Sequence, residues 1–418
     1  MKTEIITIGD ELLIGQIADT NSQWIANIAN DNGFDVQRIT SVADQLDDIL
    51  QMLEEAGDRV SLVFITGGLG PTRDDVTRKA ITRFFNVEWI HSQIVYEGIR
   101  DFLKARGIDE MKHPNAEQAK VPEKATIYPN RIGTAPGMHL EKMGVHYIFM
   151  PGVQFEMKEM MQSTIIPKLK ERWMPDYYSK RIIYTQGIPE AYLARELKEW
   201  EESLPGDIKV AYLPSPGMVK IRISTKGNKI EIVDNKLDNE VEKIRHLVPD
   251  YFLTASDQNM EEFVGEILRS EGFSVATAES CTGGAIAAKL TSVPGSSHYF
   301  KGSVVAYSNT VKNQLLHVPA NIISDHGAVS EEVVCAMIKG ALKLFQTDYA
   351  LAVSGIAGPD GGTAEKPVGT TWIAVGNKDQ IITQKFLFGT KREVNIQKAA
   401  HTAMGMLYKM IQRKRDFF

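Results

Sequence analysis

The chain is 418 residues long, too long for one ordinary hydrophobic core, and typical domain sizes divide it into two or three domains. Apolar residues make up 43% and charged residues 24%, a globular balance that excludes a disordered or fibrous chain. The net charge of −6 argues against a nucleic-acid binder that works by neutralising phosphates.

The one basic cluster, Lys409 to Arg415, reads as a solvated helix end. There are two cysteines, Cys281 and Cys335, and the sequence MKTEIITIGDELL lacks the apolar core of a secretory signal. No apolar run approaches the roughly 18 residues a membrane span needs. The expectation is a cytoplasmic protein without a membrane partner.

In chain order, Glu4 to Ile8 is a short strand, and Thr20 is a suitable N-cap for a helix with Trp24, Ile25 and Ile28 on one face, closed by Gly33. Val36 to Val42 predicts a strand, Leu46 to Leu53 a helix, and Leu62 to Thr66 (LVFIT) a buried strand entering a glycine-rich turn. A helix with Val76, Ala80, Ile81 and Phe84 then starts near Asp75. This alternation implies a mainly parallel sheet covered on both faces, with ligands beyond the carboxyl ends of its strands.

From Arg181 to about Tyr251 two strands (RIIYTQGI and VKIRIST) and two charge-rich helices make a small α+β module, and Phe252 to Asn259 reads as a linker. The final portion opens on a helix carrying Phe263, Val264, Ile267 and Leu268, closed by Gly272. Strands follow at Ser274 to Ala278, Gly302 to Tyr307, Tyr349 to Ser354 and Thr371 to Val375, with a helix through Ala285 to Leu290.

Ala278-Glu279-Ser280-Cys281-Thr282-Gly283-Gly284 runs from strand to helix and places Ser280 at the turn. N–H groups near Gly283 and Gly284 are expected to face an oxyanion or a phosphate, although a serine in such a turn is more often a helix cap. Val305 to Lys312 (VAYSNTVK) brings the Tyr307 phenol and the Lys312 amine together. A lysine kept neutral by desolvation serves as a base for serine where no histidine is available; His298, His317 and His326 read as loop or surface positions. Ser354 to Thr370, rich in glycine, forms either the far wall of a pocket or a plain mobile loop.

In the amino-terminal part, Gly9-Asp10-Glu11, Asn21 and Gly67-Gly68-Leu69-Gly70-Pro71-Thr72-Arg73-Asp74-Asp75 fall after predicted strands. Such glycine turns cradle phosphates, and Asp10, Glu11, Asp74 and Asp75 are either oxygen ligands of a divalent cation or helix caps. Residue 73 is Arg where a dinucleotide fingerprint needs its third glycine, and no Walker sequence is present.

TAESCTGG, GSVVAYSNTVK, HGAVSEEVV and SGIAGPDGGTAEKPVGT resemble the signature blocks of the CinA carboxyl-terminal domain, the nicotinamide mononucleotide deamidase (PncC) family. The resemblance implies hydrolysis of the nicotinamide carboxamide without a cofactor, with Ser280 as nucleophile, Lys312 as base and Tyr307 as proton relay or orienting hydroxyl. Substrate contacts carried over are Thr282, Gly283, Gly284, Gly355, Gly358 and Arg392. The family's pattern like G-D-R-x-x-V-R is matched at its first basic position and departed from at its second, Ile396 standing where the family tends to have Arg.

The amino-terminal blocks, with GTAPG at 133–137 and MPGVQFEM at 150–157, resemble the molybdopterin-binding (MoaB/MogA-like) fold as CinA proteins carry it. The whole chain is therefore expected to be α/β: a three-layer domain over 1–172, a KH-like α+β module over 173–251 and a deamidase domain over 258–418. The resemblance further implies a homodimer and a divalent-metal ADP-ribose pyrophosphatase in the first domain. Its nucleotide contacts would be Gly9, Asn21, Gly67, Gly68, Gly70, Pro71, Thr72 and Gly133. Two alternatives stay open: binding of a molybdopterin or nucleotide without turnover, and an accessory role in competence.

Overall fold

The computed structural model describes residues 1–70, 76–108, 117–173 and 176–415. The chain divides into two compact units, Met1–Ser179 with Lys226–Val233, and Lys180–Thr225 with Asp234–Phe418.

The first unit is built on β1 (Lys2–Ile8), β2 (Asp35–Val42) and β3 (Leu62–Thr66), followed by a side hairpin of β4 (Trp89–His91) and β5 (Lys120–Pro122), then β6 (Thr126–Tyr128), β7 (Gly137–Lys142) and β8 (Val145–Met150). The main sheet has the order β2-β1-β3-β8-β7-β6. It is parallel from β2 to β8, and β7 and β6 are antiparallel.

Strand alternation sends Ile6, Ile8, Val63 and Ile65 to one face, against Ile49 and Leu53 of the helix Leu46–Arg59 and Ala80 and Ile81 of the helix Thr77–Phe85. Ile5, Leu62 and Phe64 go to the other face, against Ile25 and Ala29 of the helix Thr20–Asp31 and Met157 and Met160 further on. Two covered faces explain why all five residues of β3 are buried. The expected three layers are therefore present.

The cap of the helix Thr20–Asp31 differs from expectation: Asp19, not Thr20, accepts the Ser22 N–H on its side chain, at 2.9 Å. A carboxylate is as strong a cap as a hydroxyl and complements the helix dipole. The helical stretch 154–173 passes through a π turn at Met161–Ile165 just before Pro167, whose ring has no N–H for the regular ladder.

In the second unit β9 (Tyr177–Thr185), β10 (Lys209–Ser215), β11 (Met218–Gly227) and β12 (Phe252–Ala255) form a sheet of order β10-β11-β9-β12. Their core includes Leu237, Val241 and Ile244 of the helix Ile230–Leu247. The sequence reading found two of these strands. Phe252 to Ala255 is a strand rather than part of a linker: Phe252 and Leu253 are buried and the segment pairs with β9, but four residues carry too little periodicity to be seen.

The last sheet consists of β13 (Val275–Glu279), β14 (Phe300–Val305), β15 (Tyr349–Gly355), β16 (Thr370–Gly376) and β17 (Ile381–Leu387), ordered β14-β13-β15-β16-β17. β13 runs parallel to both β14 and β15. The helices Met260–Ser270, Ala285–Thr291 and Arg392–Arg415 contribute to the core on one face, and Asn309–Leu316 and Glu331–Phe345 to the core on the other. Register pairs Glu279 with both Val305 and Val353. Three loops therefore leave the carboxyl ends of β13, β14 and β15 side by side, where an open α/β sheet places its chemistry.

Candidate active site

The first two of those loops carry Ser280 and Tyr307, and Ser354 lies near the end of β15. Lys312, in the first turn of the helix Asn309–Leu316, points back under the first two, and its Nζ lies 3.1 Å from Ser280 Oγ, 2.7 Å from the Ala306 carbonyl and 3.4 Å from the Tyr307 carbonyl. Lys312 is 1% exposed and, among the described residues, takes part in no ion pair with a carboxylate, so burial holds its amine below the ordinary lysine range. Carbonyls only accept, so both spend N–H groups of the amine. The neutral form then keeps its lone pair for the Ser280 hydroxyl.

Neighbouring Cys281 does not compete as a nucleophile, since burial pushes its thiol up to about 12.

Glu279, fully buried, has a structural part that the sequence did not signal. Its Oε2 accepts the N–H groups of Gly284 (3.0 Å) and Ile286 (3.1 Å), and its Oε1 accepts that of Ala287 (2.9 Å) and the Thr277 hydroxyl (3.2 Å). Gly283 N–H donates to the Ser280 carbonyl at 3.1 Å and Ala285 N–H to the Thr282 carbonyl at 3.1 Å. The expectation that N–H groups at Gly283 and Gly284 face an oxyanion is thus corrected: both are engaged inside the protein. Among the described residues the N–H groups of this turn without a carbonyl or carboxylate acceptor are those of Cys281 and Thr282.

The far wall is a braced loop. Asn395, buried in the first turns of the last helix, donates to the carbonyls of Ala357 (2.9 Å) and Gly389 (2.8 Å) and accepts the Gly389 N–H at 2.9 Å. Arg392 donates to the Gly358 carbonyl (3.1 Å) and to the Tyr307 hydroxyl (3.2 Å). Gly355 leaves no room for a side chain, because a Cβ there would lie 2.7 Å from Thr371 Oγ1 and 3.0 Å from Cys281 Sγ. Tyr307 is 62% exposed: its carbonyl holds Lys312 while its hydroxyl holds Arg392, and that hydroxyl bonds neither Ser280 nor Lys312.

In the first unit, the carboxyl ends of β1, β3 and β8 open into a cleft of about 380 Å³ lined by Thr7, Glu11, Asp19, Asn21, Asp44, Gly67 and Gly68, among others. Asn21 donates to the Gly152 carbonyl at 2.7 Å and Thr7 to Asp19 at 3.0 Å. Gly67 has φ +112°, and a Cβ there would meet the Ile8 carbonyl oxygen at 2.2 Å. Asp10 and Asp44 exchange backbone N–H to carboxylate bonds of 3.1 and 3.3 Å. Among the described residues no three His, Cys, Asp or Glu side chains are grouped to hold a metal ion.

Comparison with known proteins divides the chain into three matched segments. A model described as the CinA C-terminal domain matches residues 257–411, one of a probable molybdopterin binding domain matches 4–171, and one of the damage-inducible protein CinA KH domain matches 180–253. A CinA-like protein of Cytophaga hutchinsonii is 42% identical over 409 residues, covering 98% of each chain. The chain belongs to the CinA family.

A second CinA-like protein, from Flavobacterium psychrophilum, is 39% identical and covers 98% of this chain and 99% of its own. A crystal structure of a competence-damaged protein (CinA) superfamily protein from Klebsiella pneumoniae shares 37% identity, spans 37% of this chain and 99% of its own, and superposes with a TM-score of 0.36. The CinA-family chain thus has a first domain that matches the molybdopterin-binding model, a CinA KH-type middle and a CinA carboxyl-terminal domain.

Of the carboxyl-terminal residues singled out from sequence, Ser280, Lys312, Tyr307, Gly358 and Arg392 are joined by the contacts above, and Thr282 lies beside them. His298, His317 and His326 are exposed, as expected. Glu279 and Asn395 were missed, because a carboxylate inside VATAE and an amide inside REVNIQ have no local signature of burial. Ile396 packs against the apolar core and has no cation to offer.

Of the amino-terminal set, Glu11, Asn21, Gly67 and Gly68 line the cleft, while Gly9, Asp10 and Gly70 are not among its lining residues. Gly133 instead abuts the Glu156 carboxylate. Pro71, Thr72, Asp74 and Asp75 lie outside the described residues.

Proposed function

We propose that the carboxyl-terminal domain hydrolyses the carboxamide of nicotinamide mononucleotide to nicotinic acid mononucleotide and ammonia. The observation that carries this reading is the Lys312 amine, buried from water, 3.1 Å from a hydroxyl at a strand end. The choice of substrate is supported by the four motif blocks.

Ser280 Oγ attacks the carboxamide carbon while its proton passes to Lys312 Nζ, and the carbonyl oxygen becomes an oxyanion. The C–N bond then breaks as Lys312 returns that proton to the leaving nitrogen, and ammonia departs. Water attacks the resulting ester, again giving its proton to Lys312, and the ester C–O bond breaks as Ser280 recovers it. In this reading Arg392 offers a cation to the mononucleotide's phosphate and the exposed Tyr307 ring a face to its pyridine.

For the first domain, the cleft at the strand ends with its glycine turn at 67–68 supports binding of a phosphate-bearing nucleotide such as ADP-ribose. The described residues do not assemble a centre for a divalent metal, so no hydrolytic step is derived there.

Incubating the protein with nicotinamide mononucleotide and following both products tests the reading: nicotinic acid mononucleotide and ammonia are expected in equal amounts. Ammonia absent, or free nicotinamide in its place, would overturn it.

A further inference from the structure

We propose that Glu279 is a positioning residue for Ser280, and that its buried carboxylate leaves the Cys281 and Thr282 N–H groups as the donors that receive the substrate oxygen. This rests on the deamidase reading and assigns a donor pair that the glycines had seemed to supply.

Six of the eight N–H groups from Ser280 to Ala287 have an acceptor within the protein. Ser280 N–H ties to the Val353 carbonyl at 2.9 Å, fixing the turn to β15. Those of Gly283 and Ala285 close the turn on itself, and those of Gly284, Ile286 and Ala287 converge on the one carboxylate. Cys281 and Thr282 remain.

A second observation marks the same spot. The Thr282 hydroxyl oxygen is buried without a hydrogen-bond partner, and Thr282 as a whole is 3% exposed. Buried polar groups are nearly always satisfied, so an orphan one residue from an open N–H and two from Ser280 points to a polar ligand atom.

The burial of Glu279 is what makes the arrangement selective. A carboxylate with no access to water is tolerable only when hydrogen-bonded throughout, and this one has three N–H groups and the Thr277 hydroxyl, whose oxygen lies 2.7 Å from Ser303 Oγ and is free to accept from it. Glutamine keeps the shape but turns an N–H₂ toward backbone N–H groups that need an acceptor. Aspartate keeps the charge but is one methylene short of the helix. Either change lets the turn rotate, and the Cys281 and Thr282 donors shift while Lys312, held by Ala306 and Tyr307, does not.

The test compares wild type, Glu279→Gln and Glu279→Asp in the full chain. Readouts are ammonia release from nicotinamide mononucleotide, circular dichroism, and the rate at which a fluorophosphonate, whose phosphoryl oxygen needs the same donors, labels Ser280. Losing one oxyanion donor costs about 100- to 1,000-fold in kcat, so for folded variants a fall in kcat of at least about 30-fold is expected, with KM within about twofold.

Labelling should slow in parallel, and the midpoint of the kcat–pH profile, set by Lys312, should not move. Folded variants with kcat and labelling within about twofold of wild type would overturn the proposal. So would kcat and KM changing together, or failure of both variants to fold, which would make Glu279 a folding element only. Should wild type label but release no ammonia, the deamidase reading falls, and the labelling rates alone decide the part played by Glu279. Wild type that does neither removes both.

Discussion

Lys312 is a cation by habit placed where a cation is disfavoured. Because burial lowers its folded-state pKa, the amine is neutral over a wider pH range than an exposed lysine, and kcat/KM should rise with pH to a plateau whose midpoint lies below 10.5. Lys312→Met should remove the rise and at least about 100-fold of the rate; a variant that keeps both would remove lysine as the base. The same shift touches stability with a definite sign: the unfolded chain binds this proton more tightly, so the contribution is full above 10.5 and is lost as pH falls through the folded pKa.

Gly67 makes the matching statement for the first unit. At φ +112° and 2.2 Å from the Ile8 carbonyl, an alanine there must move β1 or the turn, and a loss of about 2 kcal/mol or more is expected in urea melts. A neutral Gly67→Ala would show that the turn yields freely. At this scale the sequence was informative where a residue type is rare in its setting, as with Ser280 in a glycine turn or Lys312 after a tyrosine. It was silent on Glu279 and Asn395, whose importance comes from partners elsewhere in the fold.

Among elements, the β7–β8 hairpin holds a buried polar chain. His139 Nε2 is 3.1 Å from His146 Nδ1, His139 Nδ1 is 3.3 Å from the Tyr128 hydroxyl, and His146 Nδ1 is 3.5 Å from Glu141, with Arg172 also at Glu141. Burial first, then the His146 and Arg172 charges, lowers the His139 pKa from 6.5 to about 4. A depressed folded value means that stability present above pH 6.5 is lost progressively as pH falls toward about 4. Acid unfolding of the first unit should therefore begin in that window, and His139→Phe should flatten it; an unchanged acid limb in the variant would assign the loss to other groups. The hairpin was not singled out from sequence, and β10, β12 and β17 were missed as well. β17 is a half-exposed edge strand, and its mixed pattern IITQKFL imposes no clear two-residue alternation.

For the whole molecule, the change of texture along the chain showed three kinds of domain, and the comparisons place them in the CinA family. No helix among the described residues is long and apolar enough to cross a membrane. The two candidate sites lie in different compact units and offer different groups, a serine hydroxyl beside a buried lysine amine in one and a glycine-lined cleft in the other. The sequence could place both sites at strand ends, because glycine turns after strands are local signals. It could not say which donors of the Ser280 turn remain open, because that depends on a carboxylate reaching across the turn to the helix.

The most direct measurement is ammonia release from nicotinamide mononucleotide by wild type and by Ser280→Ala, both with EDTA present. Wild type should turn over unaffected by the chelator, and Ser280→Ala should lose at least about 1,000-fold. A Ser280→Ala variant that releases ammonia at the wild-type rate, or a folded wild type that releases none, would contradict the assignment of Ser280 and Lys312 as a deamidase pair.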